Sequence, residues 1–117
     1  MNAQPRMTPT DFHVLLVLSQ GSLYGYAIMK ALDEESDGSI TPEIGSLYRV
    51  LARLVSQGFV EQVDSGPVEA EGVHPGRQRK YYALSPAGER ALRGEAASLE
   101  GALDIARSRG LLPAGPS

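Results

Sequence analysis

The chain has 117 residues, 42% of them hydrophobic and 21% charged, which is the size and balance of one small globular domain. It contains no Cys, which excludes disulfides, thiol chemistry and Cys-ligated metal sites. The net charge of −3 argues against nucleic-acid binding through excess positive charge but leaves room for a local basic patch. No apolar run approaches the roughly 18 residues of a membrane span, and the N-terminus lacks the apolar segment of a signal peptide, so we expect a cytoplasmic protein.

Two helices are predicted in the first third of the chain, after a disordered tail at residues 1–7. Thr8, Pro9 and Asp11 form a capping-box-like start for the first helix, which is almost wholly apolar from its second turn. A second helix is predicted from about Ser22. It ends in an acidic cluster, which we interpret as a solvated helix end.

The third predicted helix starts with Thr41 as its cap and Pro42 in its first position, and Gly58 ends it. Apolar residues recur on one face at spacings of three and four, namely Ile44, Leu47, Tyr48, Leu51, Leu54 and Val55. The opposite row contains Ser46, Arg49, Arg53 and Gln57, with Val50 as its apolar member. Periodicity alone leaves that row as either an ordinary solvated face or a contact surface.

A β-hairpin and a last helix complete the predicted elements. The segments FVEQVD and RKYYAL are short and rich in β-branched or aromatic residues, and a Gly- and Pro-rich tip lies between them. Ser85 and Pro86 begin the last helix, which runs to about residue 107. The predicted fold is therefore mainly α with a small β-hairpin, in the order α-α-α-β-β-α.

This order is that of a winged helix-turn-helix, in which the third helix enters the major groove and the hairpin, or wing, lies against flanking phosphates. The basic residues are where such a fold needs them, because seven of the eleven lie between Arg49 and Arg93 and no acidic residue occurs between 44 and 60. We expect residues 8–85 to form the winged-helix domain, 86–108 a C-terminal dimerisation helix and 109–117 a flexible tail.

Three separated motifs resemble those of the PadR family of transcriptional regulators. They are Gly25-Tyr26; Gly45-Ser46-Leu47-Tyr48 with Leu51, Arg53-Leu54 and Gly58-Phe59-Val60; and Arg79-Lys80 with Tyr82, Leu84-Ser85 and Gly88. The resemblance covers residues 12 to 93 and implies a short-form DNA-binding regulator, most often a repressor. The chain has no Trp, which argues against stacking planar drugs between tryptophans as some short members do.

The candidate DNA-contacting residues are Ser46, Tyr48, Arg49, Arg53, Arg77, Arg79 and Lys80. Arg is the commonest reader of guanine, while the alternative for both third-helix arginines is a solvated face or an ion pair with Glu61 or another nearby acid. Tyr48 is expected to place its ring partly in the core and its hydroxyl towards DNA, whereas Tyr24 and Tyr26 are expected to pack in the core or at the helix end. Strand alternation separates Arg79 from Lys80, so the wing cations do not all face one phosphate row.

The last helix carries a pattern typical of a helix–helix interface. The small and apolar residues that repeat along it at 4-3-4-3 spacing are Leu92, Ala96, Leu99, Leu103 and Ala106. We expect this seam to form a two-fold homodimer with help from the first helix. Such a dimer would present two recognition helices to a pseudo-palindromic operator.

No metal, cofactor or catalytic site is expected, because His13 and His74 are isolated and neither a Ser/His/Asp set nor a phosphate-binding loop occurs. The sequence predicts a sequence-specific double-stranded DNA-binding transcriptional regulator, a repressor and not an enzyme, and leaves open a small-molecule effector. The alternative is a winged-helix protein-interaction module without DNA binding. The net negative charge supports that alternative, while the cationic helix face and wing argue against it.

Overall fold

The structure, a computed structural model, describes residues 7–63 and 80–113. In these ranges the elements are α1 Pro9–Leu18, β1 Leu23–Tyr24, α2 Gly25–Glu35, α3 Ile44–Ser56, β2 Val60–Val63, β3 Tyr81–Leu84 and α4 Pro86–Ser108. The strands form an antiparallel sheet in the order β1-β3-β2. The predicted fold class, mainly helical with a small β wing, is confirmed.

The start of α1 has the predicted capping box. The Thr8 hydroxyl accepts a hydrogen bond from the Asp11 backbone N–H at 3.0 Å, and the Thr8 backbone N–H donates to the Asp11 carboxylate at 3.3 Å. Pro9 occupies the first helical position. Since these bonds satisfy backbone donors that the helix itself cannot use, they fix where α1 begins.

The second helix begins at Gly25, and the prediction of a start near Ser22 was wrong. Leu23 and Tyr24 are extended and pair with Tyr82 and Tyr81 of β3. A third strand therefore joins what the sequence predicted as a two-stranded hairpin. The physical reason is that β1 hydrogen-bonds backbone groups of β3 that would otherwise stay unpaired at a sheet edge.

The third helix begins at Ile44, two residues later than predicted. Glu43 is at the N-cap position and no side chain caps the helix, so Thr41 is not its cap and Pro42 lies outside it. Glu43 still places a negative charge at the positive end of the helix dipole. At the other end Gly58 has a φ of 83°, the left-handed conformation expected of the residue that terminates a helix.

The core lies between the first three helices, the sheet and the start of α4. Its fully or nearly fully buried members are Val14, Leu15, Val17, Leu18, Ile28, Leu32, Leu47, Leu51, Leu54, Val60, Tyr82 and Leu92. Met7, which the sequence assigned to the tail, packs against this core. Beyond Leu92, the residues of α4 from Arg93 to Ile105 are exposed except Glu95, so the second half of the helix projects from the domain.

The end of α3 and the start of α4 are bonded to each other at an α3–α4 junction formed by Gly58, Phe59, Ser85 and Gly88. The Ser85 hydroxyl donates to the Gly58 carbonyl at 2.6 Å and accepts from the Gly88 N–H at 2.9 Å. The Ser85 N–H donates to the Phe59 carbonyl at 3.0 Å. A Cβ on Gly88 would collide with that same carbonyl group, so the close approach requires glycine.

In the described ranges, no helix combines the length and the apolar character needed to cross a membrane.

Candidate nucleic-acid interface

One side of α3 is open to solvent. Leu47, Leu51 and Leu54 are buried on the opposite side. The exposed residues that follow one another at spacings of four and three form what we call the outer row: Gly45, Arg49, Ala52 and Ser56. Because three of these four residues are small, a ligand can approach the helix backbone closely on either side of Arg49.

Arg49 provides the positive charge of the outer row. Its Nη2 donates a hydrogen bond to the hydroxyl of the half-buried Ser46 at 3.1 Å. Among the described residues, no carboxylate lies within ion-pair distance of Arg49. The guanidinium therefore keeps most of its donors directed to solvent.

Arg53, predicted on the same polar row, is turned towards α1. Its Nη2 and Nη1 bind the two oxygens of the Asp11 carboxylate at 2.6 Å and 3.1 Å. The Asp11 side chain is 5% exposed and that of Arg53 is 44% exposed. Of the two alternatives for Arg53, the geometry supports the ion pair with a nearby acid, while a DNA contact by Arg53 stays a prediction.

Several interactions set the ionisation of this pair. Burial by itself would raise the pKa of Asp11, but hydrogen bonds from Arg53 and Thr8 outweigh it and hold the pKa below its ordinary value of 3.8. The hydrogen bond to Asp11 raises the pKa of Arg53. The stabilisation from Asp11 is therefore fully present above pH 3.8 and is lost as the pH falls through the lower pKa of the folded state.

Tyr48 lies against α2 and is 41% exposed, so it is partly buried. Its hydroxyl end covers Gly25, where a Cβ would clash with the ring. Burial, followed by interactions with Tyr82 and Tyr26, raises the pKa of Tyr48 above its ordinary value. Tyr48 thus presents a hydrogen-bonding hydroxyl beside the start of α2.

Tyr26 is 62% exposed in the first turn of α2, so it does not pack in the core, and of the two expected places the end of the helix is where it lies. It lies on α2 opposite Ile28 and Leu32, which are buried. Helical periodicity measured from those two residues would have placed Tyr26 on the outside. The same test applied to α3 would have found the small residues of the outer row.

The wing is described in part. Lys80 is exposed immediately before β3. Arg77 and Arg79 lie outside the described residues, so their predicted contacts remain predictions. Tyr24 and Tyr81, whose rings meet edge to face at 5.6 Å, fasten the wing to β1.

The predicted dimer seam falls into two parts. Leu92 is buried in the core of its own domain, which removes it from the surface that a partner can reach. Ala96, Leu99 and Leu103 are exposed and Ala106 is half-buried. Ile105, which the sequence did not single out, is also exposed, but two positions from Leu103 it lies on roughly the opposite side of the helix.

A groove of about 460 Å³ separates α1, α3 and α4. The Asp11–Arg53 pair and Gln57 form part of its polar lining, and Leu54 and Phe59 are among the apolar residues. Gln57 therefore faces this groove. Over the part of the chain that the structure describes, no cluster of three or more His, Asp or Glu side chains is arranged to hold a metal ion.

Comparisons with known proteins agree with this geometry. Residues 14–94 match the sequence model of the transcriptional regulator PadR-like family. A curated protein of Streptomyces fradiae, described as an uncharacterized 37.1 kDa protein in transposon TN4556, is 41% identical over 94 residues. These residues are 80% of this chain and 24% of that protein, so the chain spans about a quarter of the relative's length.

Two solved structures extend the comparison. A PadR family transcriptional regulator of Eggerthella lenta is 32% identical with a TM-score of 0.60, and the match covers 81% of this chain and 78% of that chain. The structure of Bacillus subtilis PadR in complex with operator DNA has a TM-score of 0.62 at 22% identity, and the match covers 78% of this chain and 48% of that chain. At that identity the second match establishes a common fold alone.

Proposed function

Because the chain belongs to the PadR-like family of transcriptional regulators, we propose that it binds double-stranded DNA sequence-specifically and represses transcription as a homodimer on a pseudo-palindromic operator. The observation that carries this proposal is the outer row of α3. It places Arg49 among Gly45, Ala52 and Ser56 on the exposed side of the helix. An α-helix with small outward residues fits deeply into the major groove, where an Arg can bind O6 and N7 of guanine.

Phosphate contacts beside the groove would set the orientation of α3. We assign Ser46, near the N-terminus of α3, and the hydroxyl of Tyr48 to phosphate oxygens on one flank, because Ser46 is half-buried and Tyr48 is 41% exposed. We add the exposed Tyr26 to this set. On the wing, Lys80 is exposed, and we assign Arg77 and Arg79 the same role from the sequence.

The proposal of a homodimer rests on the second half of α4. Leu99, Leu103 and Ile105 are exposed on a helix that projects beyond its own domain. A solitary helical extension has little stability in water unless its apolar side packs against something. A second copy of α4 related by a two-fold axis would cover Leu99 and Leu103, together with the exposed Leu16 of α1.

Repression and operator symmetry follow from this assembly. Bacillus subtilis PadR, which shares the fold, has been solved in complex with operator DNA. Two α3 helices held about one turn of DNA apart, roughly 34 Å, would contact two inverted half-sites. A dimer placed over a promoter in this way would exclude polymerase, which makes repression the simplest outcome.

The test is direct binding of the full-length chain to DNA. A duplex is first selected from a random-sequence pool by the protein itself, and its affinity is then measured by fluorescence anisotropy between about 50 and 300 mM salt. We expect a slope of log K against log salt of about −4 or steeper, because each neutralised phosphate contributes roughly 0.9. We also expect an inverted repeat in the selected duplexes and a dimer in light scattering.

The alternative is a protein-interaction module without DNA binding, which the net charge of −3 favours. It predicts that selection yields no enriched duplex and that the residual affinity does not differ from that for random DNA. That result would overturn the proposed function even if the chain were a dimer.

A further inference from the structure

Arg49 and Arg53 lie one helical turn apart on α3, but their guanidinium groups are in different environments. Arg49 donates to a hydroxyl and is otherwise directed to solvent. Arg53 is bound at two points to Asp11, a residue 42 positions earlier in the chain. Two arginines that look equivalent in the sequence therefore differ: Arg53 is paired with a carboxylate, and Arg49 has no carboxylate partner among residues 7–63 and 80–113.

The carboxylate that holds Arg53 has both oxygens in use. Oδ1 accepts from Arg53, while Oδ2 accepts from Arg53 and from the backbone N–H of Thr8. A phosphate that drew Arg53 away would leave an almost fully buried charge with much of its compensation removed, which is strongly unfavourable. The geometry thus opposes a second role for Arg53 as a phosphate or base contact.

We propose that Arg53 is a positioning residue, whose ion pair with Asp11 fixes the rotation of α3 about its axis and so aims Arg49 at DNA. This inference rests on the proposed DNA binding. It replaces the direct DNA contact that the sequence suggested for Arg53.

The place of the pair in the fold supports this role. Within residues 7–63 and 80–113, the other two ion pairs, Glu89–Arg93 and Asp104–Arg107, each join neighbours on α4. The Asp11–Arg53 pair instead joins α1 to α3, and its α1 end is fixed by the capping box. A bidentate Arg–carboxylate pair restrains orientation as well as distance, and it acts about 6 Å along the helix axis from Arg49.

The experiment uses the full-length chain and the self-selected duplex. Asp11→Asn removes the carboxylate charge and keeps the shape, while Arg53→Met keeps the aliphatic stem and removes the guanidinium. A positioning role predicts that both variants bind about tenfold more weakly, a size typical of coupling between sites, with an unchanged salt slope. A direct phosphate contact predicts that Arg53→Met reduces the slope by about one and that Asp11→Asn, which frees Arg53, binds as well as or better than the parent.

A double-mutant cycle separates positioning from a general structural effect. If Arg53 acts through Arg49, Arg49→Ala/Arg53→Met binds about as weakly as Arg49→Ala alone. If Arg49 and Arg53 contributed independently, the fold-losses of affinity in the two single variants would multiply in the double variant. The matched control is Glu89→Gln, which also removes a paired carboxylate but on exposed α4, and its affinity should stay within about twofold of the parent.

The outcomes are distinguishable. Failure of the parent chain to select any duplex overturns the proposed function. If the parent binds, equal or tighter binding by Asp11→Asn, or multiplicative effects of Arg49 and Arg53, overturns the positioning role alone. If Asp11→Asn does not fold, the salt slope of Arg53→Met and the double-mutant cycle test the positioning role without it. Arg53→Met should fold, because Arg53 is half exposed and Met keeps the aliphatic stem that packs.

Discussion

The two halves of α4 carry one repeating pattern in two different environments. In the first half, Gly88 touches the backbone of Phe59 and Leu92 is part of the core. In the second half, Leu99 and Leu103 continue the same spacing but are 39% and 44% exposed. A 4-3-4-3 pattern therefore predicts which residues share one face of the helix. It does not predict what covers that face, because the core of the same domain and a second subunit would provide equally apolar surroundings.

Among the variants that test this difference between the two halves of α4, Gly88→Ala should lower the free energy of unfolding most. The added methyl would meet the Phe59 carbonyl, a backbone group that moves only if the α3–α4 junction opens. We expect a loss of about 4 kcal/mol in the free energy of unfolding, or failure to fold. Urea denaturation followed by circular dichroism measures it, and unchanged stability would show that the junction is not tightly packed.

Leu92→Ala should have the next-largest effect. Compared with a variant in the second half, it tests whether the two halves of α4 differ in burial. Removing a buried Leu side chain is expected to lower the free energy of unfolding by about 3 kcal/mol. The matched Leu103→Ala, measured at concentrations where the chain is monomeric, should change it by less than about 0.5 kcal/mol. Similar losses for both variants would mean that the second half of α4 folds back on its own domain.

Leu103→Ala should instead weaken the proposed homodimer. Each copy would lose the burial of a partly exposed Leu, so we expect the dissociation free energy to fall by about 2 kcal/mol in total. Sedimentation equilibrium gives this value directly, and Ser108→Ala near the helix end serves as the unaffected control. An unchanged dimer constant would place the interface elsewhere.

Gly101→Ala should have a small effect on the free energy of unfolding, opposite in sign to that of Gly88→Ala. A Cβ at this position meets no atom within 4 Å, in contrast with Gly88 on the same helix. Replacing glycine in an exposed helix interior should stabilise the chain by about 0.5 to 1 kcal/mol. A destabilised Gly101→Ala variant, measured in the same urea assay, would indicate that another surface approaches the helix there.

Local sequence signals predicted much of the fold. The capping box of Thr8 and Asp11, the helix end at Gly58 and the Ser85 cap of α4 depend on residues within a few positions of each other. Such signals can be recognised in a sequence because both partners of each interaction lie in the same short segment. They were sufficient to order the helices and to identify α3 as the helix with an open side.

The contacts that the sequence could not specify have a different physical origin. The strand Leu23–Tyr24 forms because it pairs with β3, some 57 residues later in the chain. A pattern of two residues cannot predict such a distant partner. Arg53 likewise points towards Asp11, and helical periodicity is blind to a contact 42 residues away. Interactions between distant segments therefore decided which polar residues of α3 face solvent.

The hydrogen bonds of Ser85 at the α3–α4 junction have a consequence for the proposed dimer on DNA. They set the direction in which α4 leaves the domain relative to α3. In a two-fold dimer joined through α4, that direction determines both the separation and the angular phase of the two α3 helices around the DNA axis. The junction would then set the half-site spacing that the dimer accepts. A change at the junction would alter that spacing more readily than it would alter which bases are preferred.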